Sequence, residues 1–514
     1  MAKPPDKWIV AGTVLIGTIM AVLDSSVVNV ALPNMSGTLG VTIEEITWVV
    51  TGYILAQVII MPITALLASR FGRKHFYIAS VVLFTAASMA CGAARSMAVM
   101  VFFRAVQGAG GGVMITVSQA ILRESFPPEE QGTAMGLFGV GTVLAPAFGP
   151  TLGGWLTDQY SWPWIFYVNV PIGVLCILLV SRFVEDPSYL VRSKGRIDWA
   201  GLSAMAIGLG SFQLMLEKGQ DKDWFQSSFI VWLAVFAGIG LVFFLWRELR
   251  VERPAVDLRL FRNIPFASAT FLGGVLGMGL YGALFLLPLF LQELLGYPAM
   301  KSGLALMPRS LAMAVGMPIA GLLYNRIGPR VLVGTGLVVS AFSFWDLAHL
   351  TSSTGILDIV LPQLWQGVGF SLLFVALSTA ALSSIPKPKM TAAAGLYNVV
   401  RQVMGSVGIA AAATELVRSQ TRYHDALATN VTIYDAATQS WLHAMTAGMV
   451  RAGADAYTAL QRALQILNLE VTKQAAVLAY NHVLLLVALL FVVSVPLVLL
   501  LRGHRDVKVE IVAD

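Results

Sequence analysis

Four charged side chains lie well inside apolar runs of this chain: Asp24, Arg104, Arg309 and Arg401. A charge at the centre of a bilayer costs about 2.5–3.5 kcal/mol on insertion scales, so each asks for a partner or a task. Counted from the outer ends of their runs, Asp24 and Arg104 sit at similar depth and can pair. Desolvation favours a neutral acid, whereas a nearby guanidinium favours the carboxylate. A carboxyl held between those influences switches when a conformational change alters its water access, as a proton carrier requires. The same two residues also suit a permanent pair that fixes helix packing. Arg309, which follows Pro308, and Arg401 can be satisfied across a cavity by Gln292, Gln363 or Gln366, or by a substrate anion. Both equally suit the role of structural pins. Asn29, Gln57, Tyr281, Phe285, Trp365 and Phe374 offer the apolar and aromatic wall with few polar anchors that a polyspecific cavity needs.

The elements that must position these residues are read from composition. Of the 514 residues 57% are hydrophobic and 12% charged, and the mean hydropathy is +0.75. Soluble domains carry about 25% charged residues, so the chain belongs to the membrane class. Runs long enough to cross roughly 30 Å of hydrocarbon fall near 9–32, 46–68, 75–94, 97–121, 132–156, 162–183, 197–216 and 228–247. Six more lie near 266–292, 300–324, 331–350, 357–383, 391–416 and 476–501. The first run lacks an A-x-A-like processing site and reads as a retained anchor. Cys91 and Cys176 stand in separate apolar runs and read as space-fillers. No histidine has metal spacing and no Ser/His/Asp or Cys/His set occurs, so no metal, cofactor or enzymatic activity is expected.

Charge orients the runs. With the N-terminus cytoplasmic and fourteen spans alternating, the inner segments hold most of the 34 Lys and Arg. They include Lys3, Lys7, Arg70, Arg73, Lys74, Arg192, Lys194, Arg196, Arg253, Arg326, Arg330, Arg502, Arg505 and Lys508. Short outer loops keep only Arg95, Lys218, Lys222 and Lys301. Missing one span would scramble this segregation, so both termini are expected inside. The net charge of +6 therefore points to a membrane and not to nucleic acid. The glycines at 108 and 110–112 lack a preceding strand and a GK[ST], which argues against nucleotide binding.

The chain also repeats itself. Ala65–Lys74 (ALLASRFGRK) is echoed 256 positions later by Gly321–Arg330 (GLLYNRIGPR). Arg104-Ala-Val-Gln107-Gly108 is echoed 259 positions later by Gln363-Leu-Trp-Gln366-Gly367. Two parallel six-helix halves follow, as in several transporter architectures. Runs seven and eight form an inserted pair, giving units at 1–190, 191–262 and 263–514. The last unit holds a long outer loop, 417–475, where Tyr457, Leu460, Leu464, Leu467 and Val471 form a helical apolar seam. That seam either lies back over the bundle or docks a periplasmic partner.

Gly141–Gly154 (GTVLAPAFGPTLGG) places Gly141, Ala145, Gly149 and Gly153 four apart, with Pro146 and Pro150 on the same step. On a helix this is a bare face that lets another backbone approach closely. Neighbouring helices in a membrane re-satisfy the carbonyls that the prolines free. The stretch resembles the fifth-helix motif of exporters in the major facilitator superfamily, with Ala145 where glycine is usual. Leu23–Pro33 (LDSSVVNVALP) resembles the first-helix signature of its fourteen-helix drug:proton antiporters, with Ser26 where threonine is common. Arg104–Gly108 resembles the fourth-helix motif, and Ala65–Lys74 the inner-loop motif, with Ser69 in place of an aspartate.

The resemblance implies an all-α membrane fold of two pseudo-symmetric six-helix bundles plus two inserted helices. It implies a proton-gradient-driven exporter of lipophilic drugs in the inner membrane. Asp24 and Arg104 would couple protons, and Arg70, Gly72 and Arg73 would belong to an inner gate. The bare stripe would pack the two halves together and hold the outer side shut. A periplasmic membrane-fusion adaptor and an outer-membrane channel are implied partners. A same-fold exporter of a metabolite, lipid or siderophore is one alternative, and an uncoupled channel or sensor is another.

Overall fold

The computed structural model describes residues 6–186, 197–251, 254–432 and 434–501. Lys3, Arg192, Lys194, Arg196, Arg253, Arg502, Arg505 and Lys508, and with them part of the charge pattern, lie outside the described residues. Within them the chain is helical, with no strand. Lipid offers no hydrogen-bond partner to the backbone, so each apolar run must satisfy its own amides, which a helix does.

The first half contains α1 (Lys7–Leu39), α2 (Trp48–Phe71), α3 (Arg73–Gly92), α4 (Met97–Ser125), α5 (Gln131–Gln159) and α6 (Asn169–Phe183). The inserted pair is α7 (Trp199–Lys218) and α8 (Ser228–Arg250). The second half contains α9 (Ile264–Leu289), α10 (Ala299–Ile327), α11 (Pro329–Leu347), α12 (Ile356–Ser383) and α13 (Met390–Ala428). It closes with α14 (Ala436–Arg451), which lies outside the bundle, and α15 (Ala456–Ser494).

Thirteen helical stretches among the described residues are long and apolar enough to cross a membrane. The remaining expected span, 391–416, lies in α13, whose 39 residues give ample length. Apolarity is what α13 lacks, because Asn398, Arg401, Gln402 and Glu415 interrupt it. Its polar side turns into the protein, against α2, α4 and α9. α5 runs unbroken through Pro146 and Pro150.

The repeat is visible in backbone geometry. Gly72 and Gly328, 256 positions apart, join the second and third helices of each half at φ +86° and +80°. An L side chain resists that conformation. Gly108 and Gly367 mark equally close crossings. A Cβ on Gly108 would sit 2.2 Å from the Tyr53 carbonyl oxygen, and one on Gly367 would sit 2.5 Å from that of Arg309. Tyr53 and Arg309 are themselves 256 positions apart.

The two halves meet along α5–α10 and α2–α13. Gly132 and Gly321 face each other so closely that a Cβ on the first would lie 2.4 Å from the second's carbonyl oxygen. Gly136 lies against the Met317 carbonyl, and the Asn325 amide donates to the Glu129 carbonyl. On the other side Gly395 abuts the Met61 carbonyl, and Gln402 Nε2 donates to Gln57 Oε1 at 3.1 Å. These contacts, apart from the Gln57–Gln402 bond near mid-span, lie toward the end of the molecule that the charge pattern assigns to the cytoplasm.

In this conformation the stripe Gly141–Gly153 packs against α1 within its own half, and the halves meet elsewhere. A Cβ on Gly149 would strike Ser26, one on Gly153 would strike Val27, and Gly141 lies over Ile19. Ser26 Oγ also donates to the Pro146 carbonyl at 3.2 Å. Gly132, Gly136 and Gly139 make the crossing to the other half instead. Gly141 is nine residues beyond Gly132, and about 100° per residue turns it to the opposite face.

The inserted helices cross at a glycine pair, Gly208 and Gly240. α7 is attached to both halves. Lys218 Nζ donates to Thr47 Oγ1, just before α2, at 2.7 Å, and Gln213 Nε2 donates to Ser406 Oγ on α13 at 2.7 Å. Just beyond α7, Trp224 Nε1 donates to Thr414 Oγ1 on α13 at 2.9 Å. At the other end Asp198 caps α7 through the Gly201 amide and accepts from Arg247 Nε at 2.7 Å. The Arg247 hydrogen bond holds the Asp198 carboxyl below its usual range.

In the long loop, the buried face of α15 is made by Ala459 and Ala463. Of the expected apolar seam, Tyr457, Leu460 and Leu464 are 74%, 42% and 40% exposed and do not lie back over the bundle.

Candidate functional site

The most heavily bonded charge in the described residues lies among α1, α2, α4 and α6. Arg104 Nη1 reaches Asp24 Oδ2 at 2.5 Å, and both side chains have no exposed surface. Asp24 Oδ1 accepts from Gln107 Nε2 and from Asn169 Nδ2, each at 2.8 Å. Asn169 is held in turn by Ser88 Oγ at 3.1 Å. Arg104 also donates to Gln107 Oε1 and to the Val49 carbonyl. Its guanidinium lies 4.3 Å from the Tyr53 ring centroid, and the Tyr53 hydroxyl donates to the Ala21 carbonyl. The bare Gly108 face lets α4 come down onto α2, which brings Arg104 under Tyr53. Three donors on one carboxylate offset much of the cost of burying it. One atom is left over: Arg104 Nη2 is buried without a partner.

A second polar group lies between the halves. Arg401 Nη2 donates to Asn398 Oδ1 at 3.1 Å, and Asn398 Nδ2 donates to Gln119 Oε1 of the opposite half at 2.6 Å. The Arg401 guanidinium lies 4.9 Å from the Phe374 ring, which stacks on Phe138 across the halves. Arg401 Nη1, Gln119 Nε2 and the Tyr397 hydroxyl are buried and unpartnered. All three can donate.

Other expected residues scatter more widely. Gln57 is buried at the contact with Gln402. Tyr281 packs on Gly405 of α13, and Phe285 packs against the core from a partly buried position. Arg309 is buried and donates to Gln366 Oε1 at 3.3 Å. Asn29 is exposed near the outer end of α1. Trp365 is corrected: it is 42% exposed on the outer face of α12, in line with Leu361 and Val368 and beside Phe342. The inward face of that helix carries Gln363, Gln366 and Phe370.

In the inner-loop motif, Arg70 is exposed while Arg73 is buried and meets Glu124 at 2.5 Å. The Lys74 amide donates to Asp186, and Ser69, lacking the usual acid, donates to its own helix at Leu66.

Sequence reasoning assigned no role to Gln107, Gln119, Asn169 or Asn398. Their signal was present, since each is an amide inside an apolar run. Neutral amides, however, carry too small an insertion cost to stand out beside a charge.

A cavity of about 630 Å³ opens elsewhere, lined by Leu216, Trp224, Met278, Val407, Glu415 and Val483 among others. It lies beside the inserted pair, away from Asp24.

Two bundles joined by paired helices, a repeat near 256 residues and a buried Asp–Arg pair on the first and fourth helices define a transporter of the facilitator type. Residues 14–409 match the Major Facilitator Superfamily, and the chain belongs to it. It is a multi-pass membrane protein. It is similar to the multidrug export protein EmrB of Haemophilus influenzae, at 35% identity over 93% of this chain and 92% of that one. The fatty acid resistance protein FarB of Neisseria gonorrhoeae is 35% identical, covering 94% of each chain. The EmrB of Escherichia coli K12 is 33% identical, over 94% of this chain and 93% of that one. Among solved structures, the human organic anion transporter MFSD10 superposes with TM-score 0.59 at 14% identity, over 95% of this chain and 100% of that one. That last likeness concerns the fold.

Proposed function

We propose that this protein exports lipophilic, toxic compounds across the inner membrane by alternating access, in exchange for protons. The reading takes α13 as a fourteenth span and both termini as cytoplasmic. The observation that carries it is the Asp24–Arg104 pair, a full charge pair kept inside the first bundle against the cost of burying it. Similarity to a multidrug export protein and a fatty acid resistance protein supports the substrate class. The unpartnered donors of Arg401 and Gln119 between the halves suit an acceptor group on the compound carried. Phe138 and Phe374 suit its apolar body.

Contact between the halves lies on the inner side, so the conformation described is read as sealed inward. Asp24 then exchanges its proton only when the first bundle rearranges. Asp24→Asn is expected to insert normally and to abolish drug-stimulated proton movement in inverted vesicles. Undiminished exchange by that variant would move coupling elsewhere.

A permanent structural pair is the second reading, favoured by the three hydrogen bonds on Asp24 and its lack of exposure. It predicts that Asp24→Asn lowers thermal stability while drug-coupled proton flux per folded molecule stays the same.

For partners, the exposed Tyr457, Leu460 and Leu464 suit a periplasmic membrane-fusion adaptor leading to an outer-membrane channel. Deleting 455–471 is expected to abolish whole-cell resistance while vesicle transport persists. Unchanged whole-cell resistance would count against docking there.

A further inference from the structure

The inserted pair contributes a carboxyl that the sequence reading passed over. Glu217 stands in the last turn of α7, at the outer end, and is partly exposed. Its Oε1 accepts from Gln213 Nε2 at 2.8 Å. The same nitrogen donates to Ser406 Oγ on α13 at 2.7 Å. Ser406 follows Gln402 by one turn and donates to its backbone carbonyl at 3.5 Å, and the side chain of Gln402 donates to Gln57 across the halves. Gln57 is one turn along α2 from Tyr53, whose ring covers the Arg104 guanidinium. A polar chain thus runs from an outer carboxyl to the contact between the two halves.

One atom in this chain has no partner. Gln213 is fully buried, yet its Oε1 accepts nothing. With Glu217 ionised, both Nε2 hydrogens are used and the carbonyl is orphaned. Were Glu217 protonated, the amide would turn over. Its oxygen would then accept from the Glu217 and Ser406 hydroxyls together, an arrangement open only to the acid form, which draws the Ser406 hydroxyl off the Gln402 backbone carbonyl and turns the Nε2 hydrogens to the side where Oε1 now lies.

The charged groups nearby leave that switch open. Lys218, on the same turn, is directed to Thr47 and lies over Trp48, with Asp221 at 3.8 Å. Lys222 is paired with Glu44 at 2.6 Å. The groups that α2 and α13 present to Glu217 and Gln213 are hydroxyls, Thr51 and Ser406. The outer end of α8 carries no charge from Ser228 to Trp246.

We propose that Glu217 is an outer proton-titrating site, whose charge state sets the Gln402–Gln57 contact between the halves through Gln213 and Ser406. The proton comes from outer water onto one carboxylate oxygen, and the neutral acid then donates it to Gln213 Oε1 as a hydrogen bond. Glu217 is a positioning residue, since it acts through Gln213. The inference rests on the proton-coupled reading above and adds a carboxyl open to the outside when Asp24 is sealed.

The test uses the full chain in lipid nanodiscs and has two arms. Infrared difference spectra between acid and neutral pH should show a carboxyl C=O band that is lost in Glu217→Gln and retained in Asp24→Asn. In vesicles, with ethidium as probe, the wild type should show a pH-dependent transport profile across which Glu217→Gln changes less than twofold. Gln213→Leu keeps the acid but cuts the chain, and should flatten the profile while leaving the band. Glu217→Asp should restore part of the profile. An unchanged band and an unchanged profile in Glu217→Gln overturn the proposal. Because the infrared arm needs no turnover, failure at Asp24 and failure at Glu217 are read separately.

Discussion

The inner contact between the halves depends on two glycines that face each other, and lengthening either by one carbon should open it. A Cβ on Gly132 would lie 2.4 Å from the Gly321 carbonyl oxygen, and one on Gly321 would lie 2.6 Å from that of Gly132. Ordinary contact begins near 3.4 Å, so Gly132→Ala must push α5 and α10 apart by about 1 Å. Both obstacles are backbone atoms, which cannot swing aside as a side-chain tip can. Overpacking of this size costs about 1–3 kcal/mol. Where the open and closed arrangements interconvert, that cost falls on the closed one alone and shifts the ratio by about 5–150-fold. Spin labels at Arg70 and Arg326, exposed at the inner ends of α2 and α10, would report the shift as a longer distance component. The native Cys91 and Cys176 are buried and stay silent. Gly334→Ala, where a Cβ meets nothing within 4 Å, is the control and should match the parent. If Gly132→Ala folds normally and gives the parent's distances, the seal is not where the glycines place it.

Further outcomes follow from single contacts. Gly72→Ala and Gly328→Ala force side chains into the left-handed region and should each cost about 1–2 kcal/mol, read as a lower melting temperature in detergent. Equal melting for both variants and the parent would refute this. Trp365→Leu exchanges one outward apolar group for another and should leave drug resistance within twofold; a larger loss would return Trp365 to the cavity. Asp198 has a folded pKa below its unfolded value of about 3.8. Its bond to Arg247 therefore stabilises the protein above that value, and the stabilisation fades as pH falls through the lower, folded one. The gap in melting temperature between parent and Arg247→Ala should be constant near neutrality and shrink only below about pH 3.8. A gap that shrinks on going alkaline would contradict the assignment.

How much was legible in the residues follows from what burial costs. Asp24 and Arg104 stood out because an unpaired charge in hydrocarbon is expensive, so two at one depth nearly had to meet. The repeat was legible because its glycines serve backbone geometry, which no other residue supplies as well. Trp365 was misread because α12 is apolar on nearly every side. Lipid and protein interior accept the same residues, so the pattern gives no direction. The stripe on α5 was legible as a bare face, but its contact with α1 was not, since spacing fixes a face and says nothing of which neighbour fills it. Glu217 escaped notice because it stands at the end of its run, where a carboxylate is ordinary. Only Gln213 and Ser406, from distant stretches of chain, make that position unusual.

Helix α7 grips α2 through Lys218 and Thr47, and α13 through Gln213 and Ser406. α2 and α13 belong to opposite halves, so the inserted pair straps the two together. Any swing that parts the halves along that line must break one of these bonds or drag α7 with it. On the alternating-access reading proposed above, α7 would restrain the side where α2 meets α13 and leave the side where α5 meets α10 to its own contacts. On the same reading, a small molecule wedged beside Trp224, in the cavity next to α7, would hold the halves together at a place away from Asp24.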